Sequence, residues 1–147
     1  MQTSFTDKQL LDKDNKSSES ILRKCVHCGM CNATCPTFCV NGEELEGPRG
    51  RIYLIKDMLE NKKPANKKVV KHIDSCLSCY SCMTTCPSGV NYMHLIDHGR
   101  NYVEETYKRP FFDSLFRNVL SFVLPRPKVF LTLAYLSKLI KPFSFLL

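Results

Sequence analysis

The chain has 147 residues, with 21 Lys and Arg against 14 Asp and Glu, nine cysteines and no tryptophan. That length holds one domain, or one domain with an appendage. The net charge of +7 comes without a basic stripe interleaved with aromatics, which argues against nucleic acid as a partner.

The first twenty residues, MQTSFTDKQLLDKDNKSSES, are polar. They contain neither the apolar run of a secretory signal nor a twin-arginine pair. Cysteines in an unexported chain fit a reducing cytoplasm, where thiols stay available for metal. Residues 1–17 read as a mobile arm. Ser18 or Ser20 is expected to cap a short helix over 20–24 that delivers Cys25.

The first motif follows: Cys25-Val-His-Cys28-Gly-Met-Cys31-Asn-Ala-Thr-Cys35-Pro36, or C-x2-C-x2-C-x3-C-P. Gly29 stands where a tight loop needs a residue without Cβ. His27 reads as a partly exposed loop histidine, or as a hydrogen-bond donor to whatever the loop holds. Cys39 lies outside the motif and reads as a small buried hydrophobe, with a spare ligand as the alternative. Residues 41–47 make an acidic, glycine-flanked turn, and Pro48 suits the first position of a helix. That helix carries Ile52, Leu54, Ile55, Met58 and Leu59 at helical spacing. Arg49 and Arg51 oppose the helix dipole in its first turn and need an anionic partner. Glu43, Glu44 or Glu46 qualifies, as does an anionic cofactor or an acidic docking surface.

A lysine-rich linker over 61–68 leads to a short helix over 68–75. The second motif, Cys76-Leu-Ser-Cys79-Tyr-Ser-Cys82-Met-Thr-Thr-Cys86-Pro87, repeats the first. After a turn, residues 92–107 read as a helix in which Gly99 suggests close packing. His94 and His98, four residues apart, form at most a bare metal pair, since no third ligand is apparent. Residues 110–147 change character. A first amphipathic helix carries Phe111, Phe112, Leu115, Phe116, Val119, Leu120 and Val123 on one face. Pro125-Arg-Pro127 breaks it, and a second apolar helix covers 128–141. Its longest uncharged run, 129–137, falls far short of the ~20 residues needed to span a bilayer. The two helices dock on further protein, or lie at a membrane surface with Arg117, Lys128, Lys138 and Lys141 toward headgroups. Burial in protein is the usual fate of such faces.

Eight cysteines in two copies of this pattern point to two [4Fe–4S] clusters and one-electron chemistry. Three cysteines with two residues between each cap three irons from one loop, and the fourth leaves that loop at a proline. In two-cluster ferredoxins the fourth cysteine ligates the other cluster. The expected ligands are therefore Cys25, Cys28, Cys31 and Cys86 for the first cluster, and Cys76, Cys79, Cys82 and Cys35 for the second. Structural zinc does not need the third cysteine at this pitch or the x3-C-P ending. A disulfide framework needs an oxidising compartment. Two oxidised clusters, each about −2 with its thiolates, also offset most of the positive charge.

Residues 25–37, the stretch GPRGRIYLIK at 47–56 and CLSCYSCMTTCPSGVN at 76–91 closely resemble the iron–sulfur subunit of bacterial glycolate oxidase, its N-terminal part, without the C-terminal cysteine-rich repeats. The wider group includes the iron–sulfur subunits of lactate and anaerobic glycerol-3-phosphate oxidation and of heterodisulfide reductase. The resemblance implies an electron-transfer subunit of a flavin-dependent oxidoreductase. Its partner would be an FAD-containing subunit that oxidises glycolate, and its electrons would flow toward the respiratory chain, through a quinone-linked acceptor or a peripheral membrane contact. A free-standing ferredoxin-type carrier is the alternative. No general base, flavin site or Gly-rich dinucleotide loop is visible in the chain itself. The expected fold is mostly α: an alpha-helical ferredoxin-type domain over 18–109, followed by amphipathic helices over 110–147. The expected location is cytoplasmic, at or near the inner face of the membrane.

Overall fold

The computed structural model describes residues 1–140, with side chains through residue 136. Among these residues the secondary structure is helical and contains no strand. The chain divides into Met1–Tyr107 and Lys108–Leu147.

The first helix, α1, spans Lys13–Lys24, seven residues longer at its start than the expected helix. Asp12 starts it, because its carboxylate accepts from the backbone amides of Asp14 and Asn15. Ser18 is a buried interior residue instead of a cap, and its hydroxyl meets His98 Nδ1 at 2.7 Å. The residues before α1 are not a free arm. The Met1 ammonium donates to the carbonyls of Arg23 and Cys25. Thr3 Oγ1 donates to Glu19 at 2.8 Å. Gln9 Nε2 donates to the carbonyls of Leu59 and Glu60 at 2.8 and 3.1 Å, satisfying groups that a helix end leaves open. These anchors are polar contacts to backbone, so hydrophobic periodicity carries no trace of them.

A short helix the periodicity does not predict, α2 over Pro36–Asn41, begins at the proline that ends the first motif. A 3-10 turn over Glu44–Glu46 follows, and then α3 over Pro48–Asn61, with Pro48 in its first turn as expected. The turn lies directly on α3 at Gly50, where a Cβ would meet the carbonyl of Glu44 and sit 2.8 Å from Leu45 Cα. Only glycine permits that approach.

Ile52, Ile55, Met58 and Leu59 of α3 are buried. They pack with Leu95, Ile96 and Val103 of α6, Tyr92–Thr106. Gly99 lets the two helices close: a Cβ there would stand 2.8 Å from Ile55 Cγ1. Leu22 of α1 and Val70 and Ile73 of α4, Lys67–Asp74, complete the core. Each such side chain contributes roughly 1.5–3 kcal/mol when fully buried. Cys25 and Cys82 belong to the same cluster of buried residues, and α5, Ser81–Thr84, carries Cys82.

In the second unit, α7 spans Phe111–Val123 and α8 spans Pro127–Ile140. Phe111 and Phe112 are 74 and 82% exposed. Arg117 Nε donates to Asp113 Oδ1 at 3.1 Å. No single helix among the described residues is long and apolar enough to cross a membrane, and α7 and α8 reach that length only as a pair bent by 111°. The side chains of Lys138 and Lys141, expected toward headgroups, lie outside the described residues.

Candidate metal centres

The two motif loops have one conformation. In the first, His27 and Gly29 flank Cys28 with φ of 59° and 83°; in the second, Ser78 and Tyr80 flank Cys79 with φ of 52° and 56°. A left-handed residue on each side of the middle cysteine coils the loop around a concave backbone. Such concavities gather N–H groups and suit anionic centres, iron–sulfur sites among them. Three of these four residues are not glycine, so the conformation is held against its usual cost by the surrounding packing.

Two recesses result. Cys25, Cys28, Cys31 and Cys86 line the first; Cys35, Cys76, Cys79 and Cys82 line the second. The fourth cysteine of each motif thus stands with the first three of the other. Cys82, Pro48 and Tyr92 line both recesses and form their common wall. Cys28 and Cys79 are exposed, whereas Cys25, Cys35 and Cys82 are buried.

The donor set fits two [4Fe–4S] clusters. All eight thiols are free of disulfides. Neither recess is lined by a carboxylate, and each is lined by one arginine, Arg49 in the first and Arg51 in the second. Burial, reinforced by neighbouring Cys25, Cys86 and Cys28, pushes the Cys31 thiol up to about 11. Burial also pushes Cys82 up to about 12, with Cys31, Cys76 and Cys35 adding to it. Thiols of that basicity become thiolates when iron supplies the compensating charge. The exposed Cys79 goes the other way, lowered by hydrogen bonds from Ser81.

Further donors face the cysteine sulfurs. The Val90 amide approaches Cys86 Sγ at 3.4 Å in the first recess. In the second, Tyr92 Oη lies 3.7 Å from Cys76 Sγ and Arg51 Nη1 3.9 Å from Cys35 Sγ. The arginines also have the glutamate partners that the sequence offered. Arg49 Nε bonds Glu44 at 2.6 Å, which holds the Glu44 carboxyl low. Arg51 Nη2 bonds Glu46 at 2.9 Å with both side chains buried. Burial pushes the Glu46 carboxyl up, but hydrogen bonds from Ser75 and His72 and the Arg51 charge outweigh it, so it titrates below the usual range.

Cys39 is corrected by the structure. It is exposed on α2, lines neither recess, and its thiol reaches only the Ala33 carbonyl at 3.5 Å. His27 lines the first recess half-buried, edge-on to Tyr53 with ring centroids 6.3 Å apart, and its Nε2 is buried without a partner. Its pKa is lowered, first by burial and then by Arg49. His94 and His98 do stand together, with ring centroids 6.3 Å apart. His98 Nδ1 is taken by Ser18, and no third ligand joins the two histidines among the described residues. Sequence reasoning missed Tyr92 and His72, whose roles depend on tertiary approach.

Comparison with known proteins agrees with this chemistry. Residues 21–90 match the family model of the 4Fe-4S dicluster domain. The chain is 48% identical over 143 residues to the glycolate oxidase iron-sulfur subunit of Escherichia coli (strain K12), covering 97% of this chain and 35% of that protein. It is 32% identical over 108 residues to the probable glycolate oxidase iron-sulfur subunit of Bacillus subtilis (strain 168), covering 70% of this chain and 24% of that protein. A third relative, 27% identical over 84 residues, is the mitochondrial succinate dehydrogenase [ubiquinone] iron-sulfur subunit of Candida glabrata, with 53% of this chain and 33% of that protein covered. The chain spans about a third or less of the length of these relatives. No solved structure matches.

Proposed function

We propose that this chain, whose residues 21–90 match the 4Fe-4S dicluster domain, is the electron-transferring part of a flavin-linked 2-hydroxy-acid oxidase, with glycolate the acid oxidised on its partner. The observation that carries this reading is the gathering of each motif's fourth cysteine into the other motif's recess. Cys25, Cys28, Cys31 and Cys86 hold one cluster, and Cys35, Cys76, Cys79 and Cys82 hold the other. A bound [4Fe–4S] cluster supplies one-electron storage and transfer.

The chain's own residues do the rest. Exposed Cys28 and Cys79 place one edge of each site at the surface, where an electron enters or leaves. The shared wall of Cys82, Pro48 and Tyr92 keeps the two sites adjacent. Apolar burial around Cys25 and Cys82 excludes water from the deep side. The flavoprotein carries out the substrate chemistry. The exposed aromatic face of α7 docks on protein, and the assembly works on the cytoplasmic side of the membrane, delivering electrons to a quinone-linked acceptor.

The test is anaerobic. The tagged chain is purified from its host with whatever stays bound, glycolate is added, and the EPR spectrum is recorded. A reduced-cluster signal is expected with glycolate and not with lactate or glycerol 3-phosphate. A signal with one of those instead assigns a different dehydrogenase. Clusters that stay silent, with no flavoprotein retained, sink the reading in favour of a free-standing carrier.

A further inference from the structure

The two arginines in the first turn of α3 serve different recesses in different surroundings. Arg49 and Glu44 are 34 and 45% exposed, so water screens that pair. Arg51 and Glu46 are 1 and 3% exposed. Every part of the Arg51 fork is held. Nε donates to the His72 carbonyl at 2.7 Å, and Nη2 donates to Thr37 Oγ1 at 3.1 Å and Ser75 Oγ at 3.0 Å as well as to Glu46. Nη1 is the arm that reaches Cys35 Sγ, at 3.9 Å. Glu46 is fixed in turn by Ser75 Oγ and by His72 Nδ1 at 2.8 Å. The result is a rigid buried dipole with its cationic end toward the second recess.

Resting on the ligand sets proposed above, we propose that the Arg51–Glu46 pair sets the reduction potential of the second cluster, Arg51 raising it and Glu46 holding that rise in check. One added electron takes a four-thiolate cluster from about −2 to about −3, with no bond made or broken. A fixed cation at low dielectric favours that extra charge, and a fixed carboxylate opposes it. Because neither side chain can rotate away and water does not reach them, the full local field acts on the sulfur. Arg51 and Glu46 are positioning residues here and exchange no electron themselves.

The experiment uses the full chain, reconstituted anaerobically, with iron counted and each cluster titrated by EPR against potential with dithionite as the electron source. R51M is expected to lower one of the two midpoint potentials, and E46Q is expected to raise that same one. Each shift should be at least tenfold in electron partition, 59 mV for a one-electron couple. Y92F, which removes the hydroxyl near Cys76, should lower the same potential and so mark it as the second cluster. R49Q should act on the other cluster, more weakly, and less still in high salt. Should R51M fail to hold clusters, the sign of E46Q decides alone. Potentials that move in the same direction in both variants, or stay put in E46Q, overturn the inference while leaving the ligand sets standing. An iron count below two clusters in the unmutated chain overturns both.

Discussion

Gly50→Ala is expected to be one of the most damaging single-methyl additions in this chain. The added Cβ would meet the Glu44 carbonyl oxygen and stand 2.8 Å from both Glu44 C and Leu45 Cα. All three are backbone atoms, so no rotamer change relieves the overlap. Overpacking of this kind costs about 3 kcal/mol at the upper end of its usual range. Replacing a helical glycine by alanine returns about 1 kcal/mol of propensity. The net loss is then about 2 kcal/mol, or a fall of about 10 °C in the thermal midpoint for a unit near a hundred residues. The displaced turn would also carry Glu44 and Glu46 away from Arg49 and Arg51. The assay is a thermal scan of the reconstituted chain at a fixed heating rate, read by cluster absorbance and far-UV circular dichroism. A midpoint unchanged or raised would refute the reasoning, since propensity alone favours alanine. Gly99→Ala is the internal comparison: its Cβ meets the Ile55 side chain at 2.8 and 3.1 Å, and its net cost should be the smaller of the two.

Asp12→Ala should remove the cap of α1 and lower stability by about 1 kcal/mol, measurable as a shift of the same thermal midpoint. Cys39→Ser should leave iron content unchanged, because Cys39 lines neither recess, whereas Cys35→Ser should lower it; equal iron loss in both would overturn the ligand assignment. Burial lowers the pKa of His98, opposed by Asp14, Asp12 and Glu105 and aided by His94. A histidine whose folded pKa lies below its unfolded value supports the fold fully above about pH 6.5 and loses that contribution as pH falls toward the folded value. The thermal midpoint should therefore drop between pH 7.5 and 5.5, and drop less in His98→Asn.

The two cysteine motifs were the most legible part of the sequence, because iron–sulfur ligation asks for a third cysteine at the same pitch and an x3-C-P ending that structural zinc does not need. The helices over Pro48–Asn61, Lys67–Asp74 and Tyr92–Thr106 were legible nearly to their ends from apolar periodicity and Pro48. The start of α1 was not. Asp12 and Gln9 act through hydrogen bonds to backbone, and such polar anchoring leaves no periodic signature. Cys39 misled for a related reason: cysteine is buried on average, but its place on the two-turn helix α2 points it at solvent. The arginines were recognisable as cations in need of anions, yet the sequence could not divide them between two recesses. That division follows from their separation by two positions, about 200° of turn at 3.6 residues per turn, which puts Arg49 and Arg51 on different sides of the first turn of α3.

The crossed grouping of cysteines also bears on assembly. Cys25 and Cys86, brought to one recess, are 61 positions apart (86 − 25), and Cys35 and Cys76, brought to the other, are 41 apart (76 − 35). Filling either recess closes a long loop, and the chain entropy lost in closing a loop rises only slowly with its length, about 0.6 kcal/mol per doubling. The two closures are nested, however, so whichever forms first has already brought the second pair near. Most of the ordering entropy therefore falls on the first iron–sulfur centre to arrive, and the second meets ligands already in place. Filling should be cooperative, with chains holding both centres or neither, and singly loaded molecules scarce at every stage of reconstitution.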